Sequence, residues 1–433
     1  MPTVEILPSF PLPDPPLPGE GTRFAEIAGN SYKEAIRNGK RAIAAGMPLL
    51  QRCRKRESAA VTEATRMDGS KLAETLRLFG LRPPKTLTVA ITGACNQRCG
   101  HCWLAADGSD ASRHVPADTL RRVIGEFAAL GGTGVRLTGG EPLCHPDWLE
   151  LLRFAVSAGF AGVSLQTNAT LVDDKSAAAM RQLDFPGLTI QVSLDGATPE
   201  THDLVRGAGA FEAVILGLRR LVREGLGPRI SIFCTEMRHN VGEIPSLMAL
   251  AEDLGVASVA TGTMVLCGRA AEDTPVAVPE PAQYLQLLER YHADPEFRRL
   301  YEKLGKVAAL EWSCGDTPRG EACSFVENPY LTAQGTLYPC VLCHADPYAV
   351  TGSFEKALGA VFAEGAPLWS KLLQASKRRP QEIAQCRECP ELLTCAGGCL
   401  GRAWGSPGDV MAADDRCRIR RAVRNWARAK KGR

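Results

Sequence analysis

Six short apolar runs, at residues 87–91, 134–138, 162–166, 188–194, 229–234 and 256–261, alternate with stretches whose apolar positions recur every three to four residues. The runs are short and rich in β-branched residues, which fit a pleated sheet, so they read as strands. The stretches between them, at about 117–130, 146–158, 174–183, 211–224 and 242–254, read as amphipathic helices. Strands separated by helices cannot pair through tight hairpins, so this order predicts a parallel sheet with right-handed crossovers, doubly wound or curled into a partial barrel. In either form ligands gather beyond the carboxyl ends of the strands.

The flanks carry different patterns. Residues 1–20 hold Pro2, Pro8, Pro11, Pro13, Pro15, Pro16 and Pro18, which deny a helix its donors and favour extended, solvated chain. From Arg23 to about Phe79 helix formers take over, with Phe24, Ile27, Ala35, Ile36 and Ile43 giving a rough apolar face. Residues 1–84 therefore read as an arm and a helical extension, and 85–265 as the barrel core. Residues 266–313 read as a connector with helices over about 282–292 and on to 304. Residues 314–420 are dominated by Cys, Gly and Pro, with too little apolar material for a good core, so they would need metal as a staple. Residues 421–433 are a basic, helix-like tail, either a solvated helix end or a surface for an acidic peptide.

Composition changes this picture at one point. A chain of 433 residues fits two or three domains, and 45% hydrophobic with 23% charged residues are ordinary globular values, so core burial is assured. The net charge of +3 is too small for a nucleic-acid binder. No apolar run approaches the roughly 20 residues that span a bilayer, and no secretory signal opens the chain, so a cytoplasmic protein with no membrane partner is expected. The 16 cysteines are the exception, because they cluster. In a reducing compartment such clustering favours metal ligation over disulfides.

Cys95, Cys99 and Cys102 form a C-x3-C-x2-C run directly after the first strand. Three close thiolates suit a [4Fe–4S] cluster and would leave one iron open to a small molecule. Zinc is the rival, but it usually takes ligand pairs from two separated knuckles. Thr138-Gly139-Gly140-Glu141-Pro142 ends the second strand, where adjacent glycines allow close backbone approach and a carboxylate matches an ammonium. Gln166-Thr167-Asn168 ends the third strand. Ser193-Leu194-Asp195-Gly196, followed by His202-Asp203-Leu204-Val205-Arg206-Gly207, ends the fourth.

This order of motifs resembles the radical S-adenosylmethionine (SAM) enzymes. The resemblance implies a partial (β/α)6 TIM-like barrel. Cys95, Cys99 and Cys102 would hold the cluster, and the amino and carboxylate groups of SAM would chelate its open iron. An electron passed into the sulfonium would then release a 5′-deoxyadenosyl radical. It further implies that Gly139, Gly140, Glu141 and Pro142 receive the SAM amino group, with Thr167 and Asn168 on the neighbouring strand end. Ser193 would contact the ribose or carboxylate region and Arg206 the carboxylate, its planar fork suiting bidentate binding. His101 would cover the adenine. Asp195 is shared between this site and a simple cap of the following turn.

Cys323, Gly335-x4-Cys340, Cys386-x2-Cys389-x5-Cys395-x3-Cys399 and Cys417 are similar to the SPASM domain, which holds two auxiliary [4Fe–4S] clusters in radical SAM enzymes acting on peptides and proteins. By that resemblance one cluster takes Cys386, Cys389, Cys395 and Cys417, and the other takes Cys323, Cys340 and Cys399. The fourth ligand of the second is Cys343, Cys314 or an open position, with Cys343 preferred. Cys53, Cys144, Cys234 and Cys267 fit no pattern and read as small buried apolar residues.

The expected protein is thus a radical SAM oxidoreductase with three clusters and SAM, maturing a ribosomally made peptide by thioether formation, carbon–carbon cross-linking or oxidation. Its expected partners are the peptide or protein substrate, a low-potential flavodoxin- or ferredoxin-like donor, and a separate leader-peptide carrier, since residues 20–80 lack a strand trio. Sulfatase maturases typically have an aspartate after the Gx4C cysteine, and here that position is Val341, which counts against a sulfatase-type oxidation. An enzyme of tetrapyrrole or cofactor synthesis would share the same motifs, and a non-enzymatic electron carrier would share the cysteines but leave the SAM-contacting residues without a task.

Overall fold

A computed structural model describes residues 67–108, 110–272, 276–314, 323, 325–405 and 408–431, all within one unit, Ala64–Arg433. The expected arm, most of the helical extension and Cys53 lie outside the described residues.

The chain enters through α1 (Gly69–Leu78), capped by the Asp68 side chain, which accepts from the backbone N–H groups of Ser70 and Lys71. Alternation then runs as expected but for one added helix, α5: β1 (Thr86–Ala90), α2 (Ala117–Ala129), β2 (Gly134–Thr138), α3 (Trp148–Ser157), β3 (Gly162–Thr167), α4 (Asp174–Arg181), β4 (Leu188–Ser193), α5 (Pro199–Arg206), α6 (Ala210–Arg223), β5 (Ile230–Glu236), α7 (Ile244–Leu254) and β6 (Ser258–Thr263). The six strands pair in parallel in chain order.

Strand alternation divides this sheet into two faces. Val89, Leu137, Leu165, Ile190, Val192, Ile232 and Val259 are buried with Leu120, Val123, Ile124 and Phe127 of α2 and the apolar sides of the other helices. The register places the alternate residues in polar rows, Thr88–Arg136–Ser164–Thr189 and Gln166–Gln191–Ser231–Ser258. A parallel sheet packed on both faces would be apolar on both. One polar face is what a sheet needs when it wraps a hydrophilic ligand space.

Beyond β6 come the expected connector helices, α8 (Pro281–Ala293) and α9 (Pro295–Leu304), then β7 (Gly305–Lys306) on the far sheet edge and α10 (Ala308–Cys314). At the opposite edge β8 (Tyr330–Leu331) lies parallel to β1, with Thr88 opposite Tyr330. It turns through Gly335 (φ +78°) into β9 (Leu337–Tyr338). The Gx4C motif is this hairpin and the turn that follows it.

Two expectations for the C-terminal third need correction. Residues 314–420 contain a 25-residue helix, α11 (Leu358–Glu382), whose Leu358, Val361, Phe362, Trp369 and Leu372 are fully buried in the main core. This segment has apolar anchorage of its own, at about 1.5–3 kcal/mol per large side chain. Short helices α12 (Ala384–Arg387), α13 (Leu392–Cys395) and α14 (Leu400–Gly405) then carry cysteines, and the tail forms α15 (Cys417–Lys431). The helix crosses the expected boundary at 420/421 and is not a solvated end: Ile419, Val423 and Ala427 are buried on one stripe, against α8 and α10.

Candidate active site

The site is built on the carboxyl ends of β1 to β6. After β1 the chain folds into the three-cysteine loop, closed at its base where Cys95 N–H donates to Gly108 O at 2.7 Å. The loop is held from two other elements. Gly100 N–H donates to Val205 O of α5 at 2.9 Å, and Arg269, just past β6, donates from Nε to Cys99 O and from its backbone N–H to Cys102 O, each at 3.0 Å. Arg269 is 5% exposed and has no motif around it to announce this role.

Cys95 and Cys99 are buried and Cys102 is half-buried. The Gln97 N–H reaches the Cys95 sulfur at 3.4 Å, and the Cys99 thiol reaches Gln97 Oε1 at 3.6 Å. Burial, with the Glu141 carboxylate and the other two thiols nearby, pushes Cys95 up to about 12. The positive charge of an iron–sulfur cluster would favour the ionised form of such a thiol. The three thiols sit on one loop, near enough that their charges interact, and three thiolates leaving one iron free are a donor set that fits such a cluster.

The Gly139–Pro142 turn is zipped to this loop, Gly140 N–H donating to Thr92 O at 2.9 Å and Glu141 N–H to Ala94 O at 2.8 Å. Only glycine fits at position 140: a Cβ there would lie 2.2 Å from Ala94 O and 3.0 Å from the Cys95 Cβ. Glu141 is buried and accepts from Thr167 Oγ1 (2.6 Å) and Leu143 N–H (3.1 Å) on Oε1, and from Asn168 N–H (2.7 Å) on Oε2. Burial nonetheless pushes its carboxyl up to about 7. Asn168 continues the network, donating from Nδ2 to Asn96 Oδ1 at 2.9 Å. Its turn is seated by Gly217 of α6, where a Cβ would strike Ala169 O at 2.1 Å.

Ser193 ends β4, half-buried on the same rim. Asp195 is fully buried and is no turn cap. Its Oδ2 accepts from Arg206 Nε at 2.6 Å and lies 3.5 Å from His101 Nε2, and its Oδ1 accepts from Thr235 N–H at 2.7 Å. Asn240 Nδ2 donates to its carbonyl at 2.8 Å, and its N–H donates to His202 Nδ1 at 3.0 Å. Burial works to raise the Asp195 carboxyl, but the Arg206 guanidinium holds it below the usual range. Arg206, so fixed, points Nη1 to within 3.9 Å of the Cys99 sulfur. Burial pushes His101 down to about 4, and its Nδ1 has no hydrogen-bond partner. It is a neutral ring with an orphaned atom at the site.

The C-terminal cysteines form two groups that meet at Cys399. Cys386, Cys389, Cys395, Cys399 and Cys417 line a cavity of about 190 Å³ together with Trp312 and an arginine set from α15. Cys340 and Cys343 lie close enough to each other, to Cys323 and to Cys399 that their charges interact, whereas Cys314 sits beside Tyr291 and Tyr301. Two further features had no sequence signal. Trp103, next to Cys102, meets the His344 ring at 4.5 Å, and His344, next to Cys343, stacks on Tyr330 and Tyr338 at 4.9 and 4.8 Å. Arg402 of α14, fully buried, donates to Thr263 O at 3.1 Å and Met264 O at 2.6 Å while forking onto Asp415, which ties the cysteine module to the end of β6.

A parallel barrel sheet with a polar inner face, a three-thiol loop after its first strand and a glycine–carboxylate turn after its second defines a cluster-dependent enzyme of the barrel class. The chain matches the Radical SAM superfamily over residues 89–251. It is 31% identical over 356 residues to mycofactocin maturase MftC of Mycobacterium ulcerans (strain Agy99), covering 78% of this chain and 89% of that one. It is 28% identical over 353 residues to the AdoMet-dependent heme synthase of Methanosarcina barkeri (strain Fusaro / DSM 804), covering 77% and 96%. Among solved structures, Streptococcus suis SuiB bound to S-adenosylmethionine shares the fold with a TM-score of 0.63 at 18% identity, over 90% of this chain and 88% of that one. The chain belongs to the radical SAM superfamily. No helix among the described residues is long and apolar enough to cross a membrane.

Proposed function

We propose that this protein is a radical SAM maturase of a peptide, with one SAM-binding [4Fe–4S] cluster on Cys95, Cys99 and Cys102 and two auxiliary clusters in the C-terminal module. The observation that carries the reading is the convergence of Glu141, Asp195–Arg206 and the three thiols on one barrel rim, in a chain whose relative of 31% identity is named a maturase. Held by Cys95, Cys99 and Cys102, the cluster would supply, with SAM, radical chemistry begun by one-electron cleavage of the sulfonium. The chain's own residues do the rest. Glu141 offers a carboxylate to the SAM ammonium, Arg206 offers its terminal nitrogens to the carboxylate, and Ser193, Thr167, Asn168 and the neutral His101 line the remaining rim. The polar rows of the inner sheet face would receive and orient the substrate beside the site.

The auxiliary clusters fall to Cys386, Cys389, Cys395 and Cys417, and to Cys323, Cys340, Cys399 and Cys343. The position of Cys343 beside Cys340 and Cys323 supports it as the fourth ligand over Cys314. These clusters suit an enzyme whose substrate must lose an electron after hydrogen abstraction. A low-potential flavodoxin- or ferredoxin-like donor is required by the chemistry.

The test is anaerobic incubation of the reconstituted, dithionite-reduced protein with SAM. Release of 5′-deoxyadenosine is expected, rising when the cognate precursor peptide is added; no release from fully loaded protein would sink the proposal. The second reading, a tetrapyrrole enzyme, is favoured by the heme synthase match over 96% of that relative's length. Stimulation by an iron porphyrin in place of a peptide would establish it.

A further inference from the structure

The two polar rows on the inner face of the barrel sheet hold a single charged side chain, Arg136, and no group of the protein neutralises it. Along β2, Val135 and Leu137 turn into the core, while Arg136 and Thr138 turn to the open side and are half-buried. The guanidinium makes one long hydrogen bond, from Nη1 to Thr88 Oγ1 at 3.4 Å, and its Nε is buried without a partner. Burial lowers the guanidinium from its ordinary value, and no carboxylate among the described residues opposes this. The other buried arginines differ. Arg206 has Asp195, Arg402 has Asp415, and Arg269 grips the Cys99 and Ala106 carbonyls. Arg379 and Arg416 also keep an unpartnered Nε, but the charge of Asp414 supports the first and that of Asp415 the second. The carboxylates of the rim are committed elsewhere, Glu141 to Thr167, Leu143 and Asn168, and Asp195 to Arg206.

We infer that Arg136 is the anchor for a carboxylate of the substrate inside the barrel. This deepens the proposed function and rests on its placement of the substrate against the polar inner face. A guanidinium withdrawn from water without a counter-charge is costly, and a ligand that brings the counter-charge relieves that cost on binding. The planar fork matches a carboxylate, and its charge is delocalised, so contact with the terminal nitrogens neutralises the whole group. One cation among neutral Thr, Ser and Gln side chains fits a singly charged anion; a phosphate would call for more positive charge or a helix N-terminus. The body that bears the acid has a matching wall. Thr88 stands opposite Tyr330 in register, and the Tyr330 ring packs with Trp103 at 5.5 Å and His344 at 4.9 Å. Arg136 lies two residues, about 7 Å of strand, below Thr138, where the Gly139–Pro142 turn follows. A substrate held there by its acid extends toward the rim, and a strand rather than a loop sets the distance at which its next carbons meet the site.

The experiment is equilibrium dialysis against the anaerobically reconstituted full chain, with iron counted first and SAM present. The probes are acetyl-dialanyl-phenylalanine as free acid and as amide, and iron coproporphyrin as free acid and as methyl ester. Wild-type protein should hold the peptide acid at least about tenfold more tightly than the amide. Arg136→Gln with a full iron load should lose that preference, and Arg136→Lys, which keeps the charge without the fork, should keep part of it. An Arg136-dependent preference for the porphyrin acid, with none for the peptide acid, supports the anchor and overturns the peptide reading of the function. No acid preference with either probe, or an undiminished one in Arg136→Gln, overturns the inference and leaves the peptide reading to its own test by SAM cleavage. If Arg136→Gln does not load its clusters, Ser164→Glu sets a carboxylate beside Arg136 in register and should cancel the preference. A fully loaded Ser164→Glu that keeps the preference then overturns the inference.

Discussion

Arg206 donates from Nε to Oδ2 of Asp195 at 2.6 Å, and both side chains are nearly or fully buried. Arg206, the Thr235 N–H and, at 3.5 Å, His101 surround the carboxylate. Its work is to aim the guanidinium, leaving Nη1 facing the thiol loop.

Asp195→Ala should therefore act through Arg206. Leaving a buried guanidinium uncompensated costs about 3–5 kcal/mol of stability, read as a lowered urea midpoint. Asp195→Asn, which keeps the shape and an acceptor, should fold but bind SAM at least about tenfold more weakly, since about 1.4 kcal/mol of lost arginine orientation suffices for that. Equal SAM affinity in Asp195→Asn would refute the positioning role.

Gly140→Ala should abolish 5′-deoxyadenosine release and lower iron content, because the new methyl meets backbone, Ala94 O at 2.2 Å, and the Cys95 side chain. Gly209→Ala is a useful control: nothing lies within 4 Å of its Cβ position, although φ is +78°. It should keep its iron and lose only modest stability, of about 1 kcal/mol.

Cys343→Ala should lower the iron count below about twelve while leaving SAM cleavage by the first cluster in place, and Cys314→Ala should leave the count unchanged. Iron and sulfide analysis of the two variants decides the fourth ligand. The reverse pattern would move it to Cys314.

Glu327 gives a pH prediction away from the clusters. Its side chain pairs with Lys85 at 2.7 Å and Arg82 at 3.1 Å, and its carbonyl accepts from the Lys85 and Thr86 N–H groups at the start of β1. Hydrogen bonding to Lys85 holds the carboxyl below its usual 4.5, although burial opposes this. A depressed folded value means that the contribution is fully present above about pH 4.5 and is lost as pH falls through the folded value. Both cations are 65% exposed, so the contribution is at most about 1 kcal/mol after screening. In Glu327→Gln, Tm against pH should lose slope on the acid side only.

The strands and most helices were legible because each rests on a local pattern. The run Leu87–Ile91 could be little else, and Leu120, Val123, Ile124 and Phe127 repeat at helical spacing. Helix α5 was not legible: it is short and polar, set by the Thr198 cap and by Gly207 at φ +102°. Helix α11 was overshadowed by the cysteines around it and carries Pro367 and Pro380 within its length, although Phe362 and Trp369 keep a buried stripe. The thiols, Glu141 and Arg206 were legible as motif residues. Arg269 and Arg402 were not, because they act across 170 and 139 residues of chain on backbone carbonyls, and a carbonyl leaves no mark in a sequence.

The strand that carries the first cysteine loop is paired on one side by β2 and on the other by β8, where Thr88 meets Tyr330. That second partner is translated some 242 residues later. At about 5–20 residues per second, a nascent β1 keeps an open edge for roughly 12 to 48 seconds, and an open edge is an invitation to mispair. The strand most involved in catalysis is thus among the last to be fully enclosed. A product truncated before β8 would present the open edge of this strand to its neighbours.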